Sequence, residues 1–82
     1  MSSFRPETIR EAVQMLERGL EHPMDRIARA QGEDALWLIK QGRYDDAVEA
    51  VCNAVAFCDD HLALQFLHQA RDLLAPDRFS SA

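Results

Sequence analysis

His61 and His68 are the side chains most able to do chemistry. With Gln65 and Asp72 they fall at i, i+4, i+7 and i+11 along one stretch, a spacing that gathers polar groups on a single helix face. Such a stripe suits proton transfer or a metal ion. The histidines, however, are about 10.5 Å apart along a helix axis at 1.5 Å per residue, and one zinc with bonds of ~2 Å cannot join them. The stripe lies opposite Leu62, Phe66, Ala70 and Leu73, so a solvated face accounts for it. Cys52 and Cys58 are six residues apart, which turns them roughly 240° away from each other on one helix and forbids pairing within it. Cys52 adjoins Val48, Val51 and Val55, the company of a packed structural cysteine. Cys58 has Asp59 and Asp60 beside it rather than the cation a reactive thiolate needs. The only serines, Ser2, Ser3, Ser80 and Ser81, sit at the chain ends. There is no glycine-rich phosphate loop, no HExxH and no nucleophile–base pair recognisable by spacing. The expectation is a protein that is not an enzyme and holds no metal and no cofactor.

Acidic side chains offer a different chemistry. Fourteen Asp and Glu stand against nine Lys and Arg, for a net charge of −5. That balance disfavours nonspecific binding to nucleic acid or to an anionic membrane, and it invites the idea of a DNA mimic. Yet Glu7, Asp25, Glu33, Asp34, Asp45, Asp46, Asp59 and Asp60 fall where helices are expected to begin, and there carboxylates serve the helix dipole and free N–H groups. Fourteen less these eight leaves six acids against nine bases. If Gly32 does not interrupt its helix, Glu33 and Asp34 return to the surface and the remainder is balanced. DNA mimicry is weakened either way.

The elements that must position these residues are helical. Four valines, three isoleucines and one threonine are set against twelve alanines, a composition that favours helix over strand. Pro6 suits the first turn of a helix running to about Glu21, with Ile9, Ala12, Val13, Leu16 and Leu20 on one stripe. A second helix should run from near Met24 to Lys40 or Gln41 and stop at Gly42, with Ile27, Ala28, Ala35, Leu38 and Ile39 sharing a face. Gly32 followed by Glu33 and Asp34 could split it in two. The third spans about Tyr44 to Phe57 and the fourth about Asp60 to Leu74, with Leu62, Phe66, Leu67, Ala70, Leu73 and Leu74 inward. Tight connections predict antiparallel neighbours. The sequence therefore predicts an all-α fold, a compact bundle of four or five short antiparallel helices forming one domain over 1–82 with frayed ends at about 1–4 and 77–82. No apolar run reaches the ~20 residues of a membrane span, and Arg5, Pro6 and Glu7 interrupt any leader-like start, so a cytoplasmic protein is expected.

The run Ala35-Leu36-Trp37-Leu38-Ile39 is apolar all the way round a helix. Such a helix is central in its bundle or covered by another chain. The same region, with Gly42, Tyr44 and Ala47 at the turn and Ala35, Leu38, Val51 and Ala54 at the flanking sites, resembles the helical hairpin of a tetratricopeptide repeat over residues 29–59. In such a hairpin the glycine caps the first helix, the aromatic packs over the turn, and the alanines let the axes approach. Gln31, Asp34 and Asp59 depart from the family's pattern, and the motif occurs once. The resemblance implies that Arg29, Leu36, Ile39 and Lys40 line an inner groove with an apolar floor and basic edges. With Trp37 they make the candidate partner-binding set, suited to an amphipathic or acidic-tipped segment of another protein, or to a second copy in a homodimer. The expected function is non-catalytic protein binding, as an adaptor, chaperone or regulator. The alternative is a small inhibitor, such as a phage-encoded anti-defence factor, that occludes a partner enzyme.

Overall fold

Proline, aspartate and glycine set the limits of four helices. The structure, a computed structural model, describes residues 5–76; the ends expected to fray lie outside the described residues. Helix α1 spans Pro6–Leu20, α2 Arg26–Lys40, α3 Tyr44–Phe57 and α4 His61–Leu74. Among the described residues there is no strand. Pro6 opens α1, where its missing N–H costs nothing. Asp25 and Asp60 cap α2 and α4: each carboxylate accepts a backbone N–H, from Ile27 and Ala63 respectively, both at 2.9 Å. Helices α2 and α4 therefore begin one or two residues later than the sequence suggests, because each aspartate stands outside its helix as a cap.

The turn between α2 and α3 is closed by Gly42, whose φ of +77° is the only positive value among the described residues. The Gly42 N–H donates to Ile39 O at 3.0 Å and the Arg43 N–H to Leu38 O at 2.9 Å, a Schellman cap that satisfies carbonyls the helix would otherwise leave open. Gly32 does not break α2. It is buried, and a Cβ placed there would come 3.0 Å from Leu20 Cδ2. Its role is to let α1 approach α2. The acids Glu33 and Asp34 are thus mid-helix and exposed, which corrects the expectation that they start a helix.

Each helix buries a stripe spaced by four, three and, where it continues, four residues. These are Ala12, Leu16 and Gly19 in α1, Ala28, Gly32, Ala35 and Ile39 in α2, Ala47, Val51 and Ala54 in α3, and Ala63, Leu67, Ala70 and Leu74 in α4. Small residues alternate with larger ones in α1, α3 and α4 and fill three of the four positions in α2, so helix axes can close on each other while Leu16, Val48, Val51, Leu67 and Leu74 fill the space between them. This choice of face corrects three expectations. Ile27 and Leu62, expected inward, are 49% and 53% exposed, because the adjacent Ala28 and Ala63 occupy the seam where only a small side chain fits. Phe66, also expected inward, is half-buried and stacks on His22 with ring centroids 5.7 Å apart.

A step of 35 residues carries one half of the molecule onto the other. It takes Ala12, Leu16 and Gly19 to Ala47, Val51 and Ala54, and Ala28, Gly32, Ala35 and Ile39 to Ala63, Leu67, Ala70 and Leu74. It also takes the cap Asp25 to the cap Asp60 and the exposed Ile27 to the exposed Leu62. The packing follows the same exchange. The extensive contacts are α2 with α3 and α1 with α4, while α1–α2 and α3–α4 touch more lightly. Exchanging the halves turns α2–α3 into α4–α1, so the two halves share one pattern of helix pairing. The main partner of α1 is consequently α4 rather than its chain neighbour α2. The shortest principal extent is 18 Å, room for two helix layers at the usual 8–10 Å spacing.

Candidate interaction surface

The apolar run on α2 is divided among three environments. Ala35 and Ile39 are core. Leu36 and Leu38 are half-buried and pack against that core. Trp37 points outward and is 56% exposed. Four of the five side chains are therefore used by the chain's own fold, and the indole is what remains.

Arg29 is half-buried. Its Nη1 donates to Leu20 O at 2.8 Å and its Nη2 to His22 O at 3.0 Å, so it caps the C-terminal end of α1, where a cation also meets the negative end of the helix dipole. Lys40 is exposed in the last turn of α2. Of the five residues singled out from the sequence, the structure thus places Trp37 and Lys40 outward, Leu36 and Arg29 at intermediate depth, and Ile39 in the core.

Beside Trp37 runs a groove of about 400 Å³ between α2 and α3. Helix α2 contributes Asp34, Trp37 and Leu38; α3 contributes Asp46, Glu49 and Ala50. The amides of Gln31 and Asn53 line it farther from the turn. Trp37, Leu38 and Ala50 are its apolar residues, and Asp34, Asp46 and Glu49 its acidic ones. Asp46 is held by Arg43, whose Nε donates to Oδ2 at 2.8 Å and whose Nη2 lies 2.6 Å from the same oxygen. Neither Asp34 nor Glu49 makes an ion pair among the described residues. Arg29 and Lys40 do not line this groove, and its edges are acidic.

Asp34, Asp46, Glu49, Ala50 and Asn53 were not singled out from the sequence. Their signal was present in the spacing. Gln31, Asp34 and Leu38 fall at i, i+3 and i+7, as do Asp46, Glu49 and Asn53, and a three-residue turn brings two such faces together. Assigning Asp34 and Asp46 to helix starts concealed it.

The histidine stripe is only partly solvated. His61 and Gln65 are exposed, whereas His68 and Asp72 are half-buried, and Asp72 Oδ1 lies 3.6 Å from Arg71 Nη2. No three His, Cys, Asp or Glu side chains come together in a metal-holding arrangement among the described residues. Both cysteines are free and half-buried, and the Cys58 thiol approaches Asp60 O at 3.5 Å. No helix among the described residues is long and apolar enough to cross a membrane. No protein-family model, curated protein or solved structure matches the chain.

Proposed function

We propose that this protein is a non-catalytic module that binds another protein through the face of α2 carrying Trp37. The observation that carries the reading is the exposure of that indole, 56%, on the wall of a groove. Tryptophan is a costly residue to leave in water and a frequent anchor of protein interfaces. The α2–α3 hairpin is read as tetratricopeptide-like. Support comes from Gly42 at φ +77°, from half-buried Tyr44 packed against the core, and from Ala35, Ala47, Val51 and Ala54, all buried. Leu36 and Lys40 flank Trp37 on α2 and extend the surface on one side; Arg29 and Ile39 hold it in place from within.

A photo-cross-linking amino acid in place of exposed Glu33, one turn before Trp37 on α2, leaves the indole in place and tests the reading in the native host. The expected result is a discrete protein adduct that excess parent protein competes away and that the same probe at exposed Gln14 on α1 does not give. Identical adducts from both positions, or none from position 33, contradict it. An adaptor and an enzyme-occluding inhibitor then separate on whether the captured partner loses an activity.

A further inference from the structure

We propose that the α2–α3 groove docks an arginine- or lysine-bearing segment of the partner, with the cation seated over Trp37 and between Asp34 and Glu49. The proposal rests on the function proposed above and names the chemistry of its partner.

Three observations carry it. The first is charge. Asp46 has Arg43, but Asp34 and Glu49, which line the groove, make no ion pair among the described residues. An incoming cation meets two negative groups that no internal base answers. The second is the indole. The face of a tryptophan ring attracts a guanidinium or ammonium through its quadrupole, and among the aromatic side chains it does so most strongly. Trp37 is exposed and lines the same groove, so its attraction and that of the carboxylates act on one bound cation.

The third observation is the internal symmetry. The 35-residue step places Gln69, Asp72, Gln14 and Arg18 on α4 and α1 where the groove has Asp34, Trp37, Glu49 and Asn53. The buried stripes keep their pattern through the same exchange. One scaffold thus appears twice, and the combination of indole with unanswered carboxylates belongs to one copy. Packing does not require it, since the equivalent helix pair is built without it.

The occupant is a different protein rather than a second copy of this chain. A two-fold contact through the groove would set its acids against the same acids, on a chain whose net charge is already −5. Nucleic acid and anionic lipid are repelled by the same field.

The probe is an acetylated and amidated Gly-Arg-Gly-Arg-Gly peptide, titrated into isotopically labelled full-length protein at low salt and followed by amide and indole NMR shifts. The same peptide with citrulline in place of arginine keeps the shape and removes the charge. The expected result is saturable movement of the Trp37 indole N–H and of the Ala50 and Asn53 amides. Binding should weaken at least fivefold with the citrulline peptide and at least fivefold in an Asp34→Asn/Glu49→Gln variant. Both positions are exposed, and unchanged thermal unfolding confirms that the variant folds. A Trp37→Leu variant, read on Ala50 and Asn53, should also bind more weakly. The proposal is overturned if the shifts map to Glu7, Glu11 and Glu17 on α1, or if citrulline binds equally well. It is overturned too if the groove signals move with protein concentration alone, which would give the groove to a second copy. Loss of arginine binding alongside retained cross-linking from position 33 would remove the basic partner and leave the docking surface standing.

Discussion

Trp37 and Leu67 are both large and apolar, but folding hides all of Leu67 and less than half of Trp37. That difference sets their roles. Leu67→Ala should cost about 2–5 kcal/mol, the transfer free energy of the lost atoms plus the cavity they leave. Trp37→Ala should stay within about 1 kcal/mol, as for a surface position. Urea unfolding of the two variants checks this, and equal losses would make Trp37 a core residue. Gly42 separates backbone from packing in a similar way. Nothing lies within 4 Å of a Cβ placed there, while its φ is +77°, so Gly42→Val should lose about 1–2 kcal/mol through left-handed strain alone. Gly42→Asn should lose less, because asparagine visits that region. A neutral Gly42→Val would mean that the Schellman cap does not persist in solution. For the histidine stripe, exposed His61→Gln should leave the melting temperature within the range of surface changes; a zinc-dependent rise in the parent that this variant loses would contradict the solvated assignment.

At the scale of elements, the meeting of α1 and α2 includes Arg29 on the carbonyls of Leu20 and His22 and Gly32 against Leu20. Arg29→Met keeps the aliphatic stem and removes both hydrogen bonds. It should cost about 1–2 kcal/mol, at the lower end for charged hydrogen bonds because the site is half-buried. Amide exchange should rise first at Glu21 and His22, whose N–H groups close the end of α1. Uniform loosening of all four helices would contradict a local cap. Helix limits were legible in the sequence to within two residues because Pro6, Asp25, Gly42 and Asp60 each act locally, through a fixed φ, a short carboxylate or a missing Cβ, whereas Gly32 left the number open between four and five. The inward faces of α2 and α4 were less so. Hydrophobicity favours Ile27 and Leu62, but axis separation favours Ala28 and Ala63, and separation is a property of the pair of helices rather than of either one. The pairing of α1 with α4 was hidden for the same reason. The 35-residue step was present in the letters, carried by alternating small and large residues that a search for large apolar side chains passes over. The groove was missed because Asp34 and Asp46, each explained singly as helix-starting acids, meet only when α2 folds back on α3.

For the whole molecule, the charge of −5 matters less than where it sits. Asp25 and Asp60 are occupied as caps and Asp46 by Arg43, while Asp34 and Glu49 concentrate negative field beside the one tryptophan of the chain. A core of alanines and a few leucines and valines supports this by bringing the helices close, so α2 presents its indole from a fixed frame. The central claim is that Trp37 is a surface ring in a negative groove, and its own fluorescence tests that directly without any partner. Quenching by caesium and by iodide, each compared with free N-acetyltryptophanamide at the same ionic strength, reads exposure and local charge together. Caesium should quench Trp37 relatively better than iodide, and the Asp34→Asn/Glu49→Gln variant should narrow the difference. Resistance to both quenchers would place the indole in the core, and preferential quenching by iodide would make the groove positive; either result contradicts the account.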